Sequence, residues 1–398
     1  MPTPKTAAYE SNLWKLNATR VFFSMHFFGP VLVPFFTQWG GLTLSQVFFL
    51  NSWFFFCNFL FEVPTGAAAD HLGRKTSLVL GSLLGGFAAF LYTSHPALGV
   101  FLVAEAIFAL AYTFYSGADE ALAYDSLKAV GMENSSKKVL ARMGSFRLGG
   151  ILFGSLTGGF IAAKFGLPST LRATGIAIFI SLLFVLLIRE PKSRKPRTRV
   201  PYLKVLKDGV RFLMGHRVLW ILTLEAALVN ALVWAIIWLY QPFLEQSGLP
   251  LRYYGVVQAL SIVGQIWVLS NVEKLEKLFG SKRGLLTGGG IVTGLAFLVL
   301  GWAKPLFVVI PAIILAFTFG LSRMPLFSSY MNKYIPSGMR ATVLSTSSMV
   351  RTFGITATNL VVGVGLAYWS IRTTAFLIGL SLIALSVFSR IEEGQLKD

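Results

Sequence analysis

Apolar residues run along this chain in long stretches separated by short polar turns. Segments of roughly 20 apolar residues span a bilayer. Twelve such segments lie near 13–38, 45–69, 76–94, 97–117, 141–164, 170–188, 218–244, 252–271, 284–302, 305–329, 342–367 and 373–389. Barrel strands would alternate in polarity and run about ten residues, so the expected element is the helix. The pattern predicts an all-α membrane protein with twelve transmembrane helices. The first apolar stretch is too long for a cleavable signal peptide and lacks a small-residue cleavage site.

Composition agrees with the pattern. Of 398 residues, 55% are hydrophobic and 13% charged, with a mean hydropathy of +0.67; a soluble chain carries about 25% charge. The net charge of +18 would suit a nucleic-acid surface, but its distribution argues otherwise. With a cytoplasmic N-terminus, 26 basic residues fall at inner ends and loops, five fall outside, and four arginines lie within spans. That asymmetry satisfies the positive-inside rule. The basic residues therefore orient the chain and meet anionic inner-leaflet lipid, leaving no nucleic-acid partner. The single cysteine, Cys57, falls within a span and reads as a small core residue.

A polar, proline-punctuated run from Arg189 to Arg199 divides six spans from six. The organisation expected is an N-terminal six-helix bundle over 1–188, a cytoplasmic basic linker over 189–217, and a C-terminal bundle over 218–398, with both termini cytoplasmic. Within the linker, Val200 to Phe212 suits an amphipathic helix on the inner leaflet. The halves echo one another: Gly73-Arg74-Lys75 against Gly280-Ser281-Lys282-Arg283, Arg147 against Arg351, and Arg172 against Arg372.

The turn between the second and third spans reads Gly66-Ala67-Ala68-Ala69-Asp70-His71-Leu72-Gly73-Arg74-Lys75. It resembles the signature between helices 2 and 3 of the major facilitator superfamily of secondary transporters, departing from the fullest form at His71-Leu72. The resemblance implies two six-helix repeats with a midplane cavity between them, lined by helices 1, 4, 7 and 10. It also implies a cytoplasmic gate formed by Asp70, Gly73, Arg74 and Lys75. Asp119, Glu120 and Asp125, at the inner end of the fourth span, are expected to partner Arg74, Lys75 or Arg142 there. Span 5 carries Gly150, Gly154, Gly158 and Gly159, similar to the superfamily's antiporter signature, with Ser155 where proline is usual. Glycines four apart also let helices approach closely, and packing alone accounts for them.

Charges inside spans cost about 2.5–3.5 kcal/mol on insertion scales and mark functional sites. Glu105 in span 4 is the leading candidate for proton coupling, with a fixed ion pair to a neighbouring arginine as the alternative. Glu62, before Pro64, is a second candidate, or a partner of Arg147 or Arg351. Glu225 joins them on span 7, and His26 on span 1 can titrate or sit hydrogen-bonded in a packed helix. Arg147 and Arg351, related by the repeat, are expected to pair within the membrane and to serve the switching machinery. Candidate cavity residues are Arg20, Asn51, Tyr112, Asn230, Trp234, Trp238 and Gln258, with Arg20 also able to pair with an acid.

Four scattered histidines, no nucleophile–base spacing and no phosphate-binding loop argue against an enzyme or an ATP-driven pump. No catalytic residue, cofactor or metal site is expected. The function expected is a monomeric secondary transporter in the bacterial inner or plasma membrane, exporting small organic or amphipathic solutes in exchange for protons. Proton-coupled uptake and transport of lipid or lysolipid are the alternatives.

Overall fold

A computed structural model describes residues 4–191, 202–336 and 339–396; the side chains at 4–7, 63, 70, 202–206 and 340–341 lie outside the described set, as do residues 192–201 of the basic linker. The described elements are all helical. In order they are α1 (Pro4–Phe23), α2 (Leu32–Pro34), α3 (Leu44–Leu72), α4 (Arg74–Leu91), α5 (Leu98–Tyr115), α6 (Ala118–Ala129), α7 (Ser136–Phe165), α8 (Pro168–Leu186) and α9 (Tyr202–Gly215). Then follow α10 (Arg217–Trp234), α11 (Ile236–Gln246), α12 (Tyr254–Ser270), α13 (Val272–Leu278), α14 (Lys282–Trp302), α15 (Leu306–Asn332), α16 (Arg340–Tyr368) and α17 (Ile371–Val387). Among the described residues, nine helical segments are long and apolar enough to cross a membrane. The other three expected spans are also helical, but are interrupted (13–38) or shorter (α4 and α17).

The first expected span is not one continuous helix. α1 stops at Phe23, and helical structure resumes only at Gly29. Ser24 to Phe28 instead make short-range turn bonds, such as His26 N–H to the Ser24 carbonyl at 2.9 Å. The fourth span likewise ends early. Ser116 leaves helical geometry, and Gly117 takes a left-handed φ of 76° before α6 begins, a conformation glycine adopts without a Cβ clash.

Contacts divide the chain into two compact units. Unit 1 comprises Met1–Leu42 with Trp53–Arg199, and unit 2 comprises Thr43–Ser52 with Val200–Asp398. In unit 1, α4 packs on α5 and α8, and α1 packs on α6, α7 and α8. In unit 2, α14 packs on α15 and α17, α12 on α15, and α10 on α15 and α16. The amphipathic helix expected within the linker is present as α9. It packs on α16 and α10, where Leu213 is buried and Gly209 lies against Thr346. The opening of α3 belongs to unit 2: buried Asn359 on α16 donates its side-chain amide to Asn51 Oδ1 at 2.5 Å, and Ser52 Oγ donates to the Thr356 carbonyl at 3.3 Å.

The repeat seen in the sequence recurs as repeated contacts. Gly73 and Gly280 both take positive φ, 93° and 82°, in the turns before α4 and α14. In unit 1 the exposed first turn of α4 is capped by Glu190, which accepts the Arg74 N–H at 2.6 Å and the Lys75 N–H at 3.2 Å. In unit 2, Glu393 accepts the Lys282 and Arg283 N–H groups at 3.1 and 2.7 Å. A carboxylate at a helix N-terminus satisfies free N–H groups and faces the positive end of the helix dipole. Arg172 donates to Thr93 Oγ1 at 3.3 Å, and Arg372 donates to the Ala303 carbonyl at 2.5 Å. Each ties the last long helix of its unit to the far end of α4 or α14.

Candidate functional site

Glu105 lies on α5, about 10 Å along the helix from its first residue at 1.5 Å per residue. It is 6% exposed. The Tyr92 side chain, just beyond α4, lies beside its carboxylate, and no cation pairs with it among the described residues. Tyr92 itself packs against Phe101 and Phe108, with ring centroids 6.3 and 6.5 Å away. The rings of Phe35, Phe36 and Phe101 nearby are fully buried. The result is a carboxylate beside aromatic rings with no cation among the described residues.

His26 occupies the break between α1 and Gly29. Its ring stacks on Phe28 at 5.2 Å, meets Phe108 edge-on at 6.3 Å, and leaves a buried Nε2 without a partner. The glycines of α7 explain how the break is accommodated. A Cβ at Gly150 would overlap the Val21 carbonyl oxygen, one at Gly154 would lie 3.0 Å from the His26 nitrogen, and one at Gly158 would overlap the Phe27 carbonyl oxygen. Backbone therefore seats directly on backbone here, the close approach that four-residue glycine spacing permits.

Arg20 is a paired residue. It donates through Nε to Asp119 and through Nη2 to Glu120 Oε1 at 2.8 Å, joining α1 to α6. Asp119 and Glu120 are thus engaged by Arg20, not by Arg74, Lys75 or Arg142. Of the three acids only Asp125 meets the expected turn, 3.0 Å from Arg74 Nε. Lys75 Nζ donates instead to the Leu186 carbonyl at 2.8 Å. The Asp70 side chain lies outside the described residues, so the gate pairing expected of it has no geometry here.

Unit 2 carries the counterpart of the Arg20 pair with its polarity reversed. Glu225 on α10 and Arg323 on α15 stand 205 and 204 positions after Arg20 and Asp119. Arg323 Nη2 is 3.9 Å from Glu225 Oε1, and Ser389 Oγ donates to Glu225 Oε2 at 2.7 Å. Arg323 is 3% exposed, and among the described residues none of its three guanidinium nitrogens makes a hydrogen bond. Its guanidinium lies over the Phe327 ring at 5.6 Å.

The remaining candidates scatter. Glu62 is exposed on α3 and makes no ion pair with Arg147 or Arg351 among the described residues; nor does Arg147 make one with any acid. Tyr112 is exposed near Phe54. Asn51 is bonded to Asn359 within unit 2. Among the described residues, buried Asn230 has both side-chain polar atoms unpartnered, as are Trp238 Nε1 and Gln258 Oε1; Trp234 is half-buried on the same helix as Asn230. Arg351 Nη2 donates to Ser348 Oγ at 2.8 Å. Sequence reasoning passed over Glu190 and Glu393 as caps, although each follows the last span of its half by a few residues. It also passed over Arg323 as the partner of Glu225. The 204-residue offset already visible between Arg147 and Arg351 was the signal that would have found that pair.

A fold of packed apolar helices in two repeat-related units, with isolated charges inside them, defines a membrane transporter. The sequence profile of the Major Facilitator Superfamily matches residues 18–359, and the chain belongs to that family. It is similar to the uncharacterized MFS-type transporter YxaM of Bacillus subtilis (strain 168), 21% identical over 355 residues that cover 85% of this chain and 86% of the relative. Among solved structures it is similar to the nucleoside transporter NupG, with TM-score 0.79 and 14% identity over 94% of this chain and 97% of that one. A D-xylose-proton symporter superposes with TM-score 0.74 and 12% identity, covering 98% and 99%. The chain is accordingly a multi-pass membrane protein of a family of carriers for small molecules.

Proposed function

We propose that the chain works as a proton-coupled exporter of small organic or amphipathic solutes by alternating access, with Glu105 as the group that takes up and releases the proton. The observation that carries this reading is the setting of Glu105: buried, beside the Tyr92 side chain, and without a cation among the described residues. An unpaired charge in such a setting is costly, and exchange of a proton is the chemistry that removes it. Buried Asp119 is already committed to Arg20, and half-buried Glu225 lies against Arg323 and Ser389. The outward direction is taken from the likeness of the α7 glycines to the antiporter signature, from which Ser155 departs at the proline position.

The driving force suffices. One charge crossing 100 mV supplies about 2.3 kcal/mol, and each pH unit adds about 1.4 kcal/mol. One proton therefore sustains a solute gradient on the order of a hundredfold to a thousandfold. The test is a substrate panel in inside-out vesicles acidified in the lumen. Lumenal accumulation of solute with alkalinisation supports export; entry only with co-moving protons replaces it with symport.

A further inference from the structure

Unit 2 contains a cavity of about 130 Å³ between α10, α15 and α16. α10 lines it with Thr223, Ala226 and Ala227, and α15 with Met324 and Phe327 among others. One turn further along α10 comes Asn230. Ala227 meets α16 at Gly354, and Val233 meets α15 at Gly320. Asn230 falls between those two contacts, about 60° around the helix from each. It therefore faces the groove between α15 and α16, the same groove that holds the cavity.

Two side chains of this stripe lack hydrogen bonds. Asn230 is 6% exposed, and among the described residues neither its Nδ2 nor its Oδ1 has a partner. Thr223, two turns earlier on the same face, is 1% exposed, and its hydroxyl is likewise unpartnered among the described residues. A buried polar group without a bond is costly, and a ligand that supplies the missing bonds recovers that cost.

We propose that Asn230 recognises an uncharged solute that carries a donor and an acceptor side by side, as in a primary carboxamide or a lactam. The inference deepens the transporter reading, and rests on it, by naming the substrate class. The inventory of the Asn230 amide decides that class. Oδ1 needs an N–H or O–H to meet it, and Nδ2 needs a lone pair. A carboxylate or phosphate supplies acceptors only and would leave Oδ1 unmet; an ammonium supplies donors only and would leave Nδ2 unmet. A carboxamide supplies both at the spacing of the asparagine amide itself.

The cavity takes the rest of the molecule. An apolar cavity of about 150 Å³ holds benzene, so a ring of that size fits the scale of this one. Its wall at Ala226, Ala227, Met324 and Phe327 is apolar, and methionine adapts to varied shapes. Thr223 lies about 10 Å from Asn230 along the helix, and its hydroxyl can meet a second polar group at the far end of the ring. On the α16 wall Arg351 already donates to Ser348 at 2.8 Å, and the recognition rests on α10.

The test measures binding, with no gradient imposed, to the full chain in zwitterionic nanodiscs. The probes are benzamide, acetophenone, which keeps the acceptor but lacks the N–H, and benzoate, which is charged and lacks a donor. The wild type is expected to bind benzamide at least tenfold more tightly than either, because a site built to hydrogen-bond a group rejects analogues without it. Asn230→Leu is close in shape and should bring benzamide down to the level of acetophenone. Its ligand-free melting temperature should hold, since the amide gives up no bond. 4-Hydroxybenzamide should bind the wild type severalfold more tightly than benzamide, and Thr223→Val should erase that gain. Should Asn230→Leu fail to fold, the wild-type ranking and Thr223→Val decide. Benzamide binding no better than acetophenone or benzoate, or a preference that survives Asn230→Leu, overturns the proposal. Benzamide preference without gradient-driven flux would sink the exporter reading alone; flux without that preference would sink the recognition by Asn230 alone.

Discussion

The two units place an ion pair at the same repeat position, yet the pairs differ in kind. In unit 1, Arg20 is held by two carboxylates through short hydrogen bonds to Asp119 and Glu120. In unit 2, the guanidinium of Arg323 stands 3.9 Å from Glu225 and makes no hydrogen bond among the described residues. The surrounding helices follow suit. A Cβ at Gly150 on α7 would overlap the backbone of α1, whereas one at Gly354, 204 positions later on α16, would sit 3.5 Å from the Ala227 carbonyl of α10. The second unit also holds the cavity at Arg351 and the unpartnered Thr223 and Asn230. Repetition of the chain thus fixes where charges lie but not how tightly they are bound. Around these pairs, unit 1 is bonded and seats backbone on backbone, whereas unit 2 keeps spare hydrogen-bonding capacity, the condition for exchanging partners.

The largest expected effect falls on the bonded pair. Arg20→Met leaves Asp119 buried without its cation, and breaking a buried pair from one side costs about 3–5 kcal/mol. Thermal unfolding of the purified protein should show a large drop in melting temperature. Gly150→Ala comes next, since overpacking against backbone costs about 1–3 kcal/mol, while Gly354→Ala should be neutral or slightly stabilising, as helical Gly→Ala changes usually are. Equal losses from the two glycines would erase the contrast between the units.

Arg323→Met should change stability by no more than about 1 kcal/mol, because a buried guanidinium without hydrogen bonds returns little for its desolvation. A loss as large as that of Arg20→Met would show that the 3.9 Å pair is as firm as its counterpart.

The smallest effect is expected at Glu393, outside the spans. Burial alone would raise its carboxyl, but the N–H groups of Arg283 and Lys282 outweigh that and hold it below the usual carboxylate range. A group depressed in the folded state stabilises above its unfolded pKa, about 4.3, and that contribution fades as pH falls through the folded value. Glu393→Gln should therefore remove a small acid-side slope from the melting temperature below about pH 4.5. An unchanged slope would show that the cap contributes nothing to stability.

Much of this architecture was legible in the sequence. Long apolar runs gave the helices, Gly73 and Gly280 marked the turns, and the 204-residue spacing of Arg147 and Arg351 exposed the repeat. The break at Ser24–Phe28 was hidden because Met25, Phe27 and Phe28 are as apolar as any continuing helix. The Glu225–Arg323 pair was missed because matching the halves by residue identity overlooks a pair whose charges have exchanged sides. The docking of α9 on α16 was equally concealed, since an amphipathic face suits a leaflet or a neighbouring helix alike. Glu105 stood out from its apolar neighbours alone, while its Tyr92 partner lies 13 residues earlier in a different helical hairpin arm and left no local signal.

The central claim, that Glu105 carries the coupled proton, is met most directly by separating exchange from energised transport. In proteoliposomes, Glu105→Gln should retain solute counterflow at equal pH on both sides and lose all accumulation driven by an imposed pH gradient. Gradient-driven accumulation at the wild-type rate in Glu105→Gln would contradict the account.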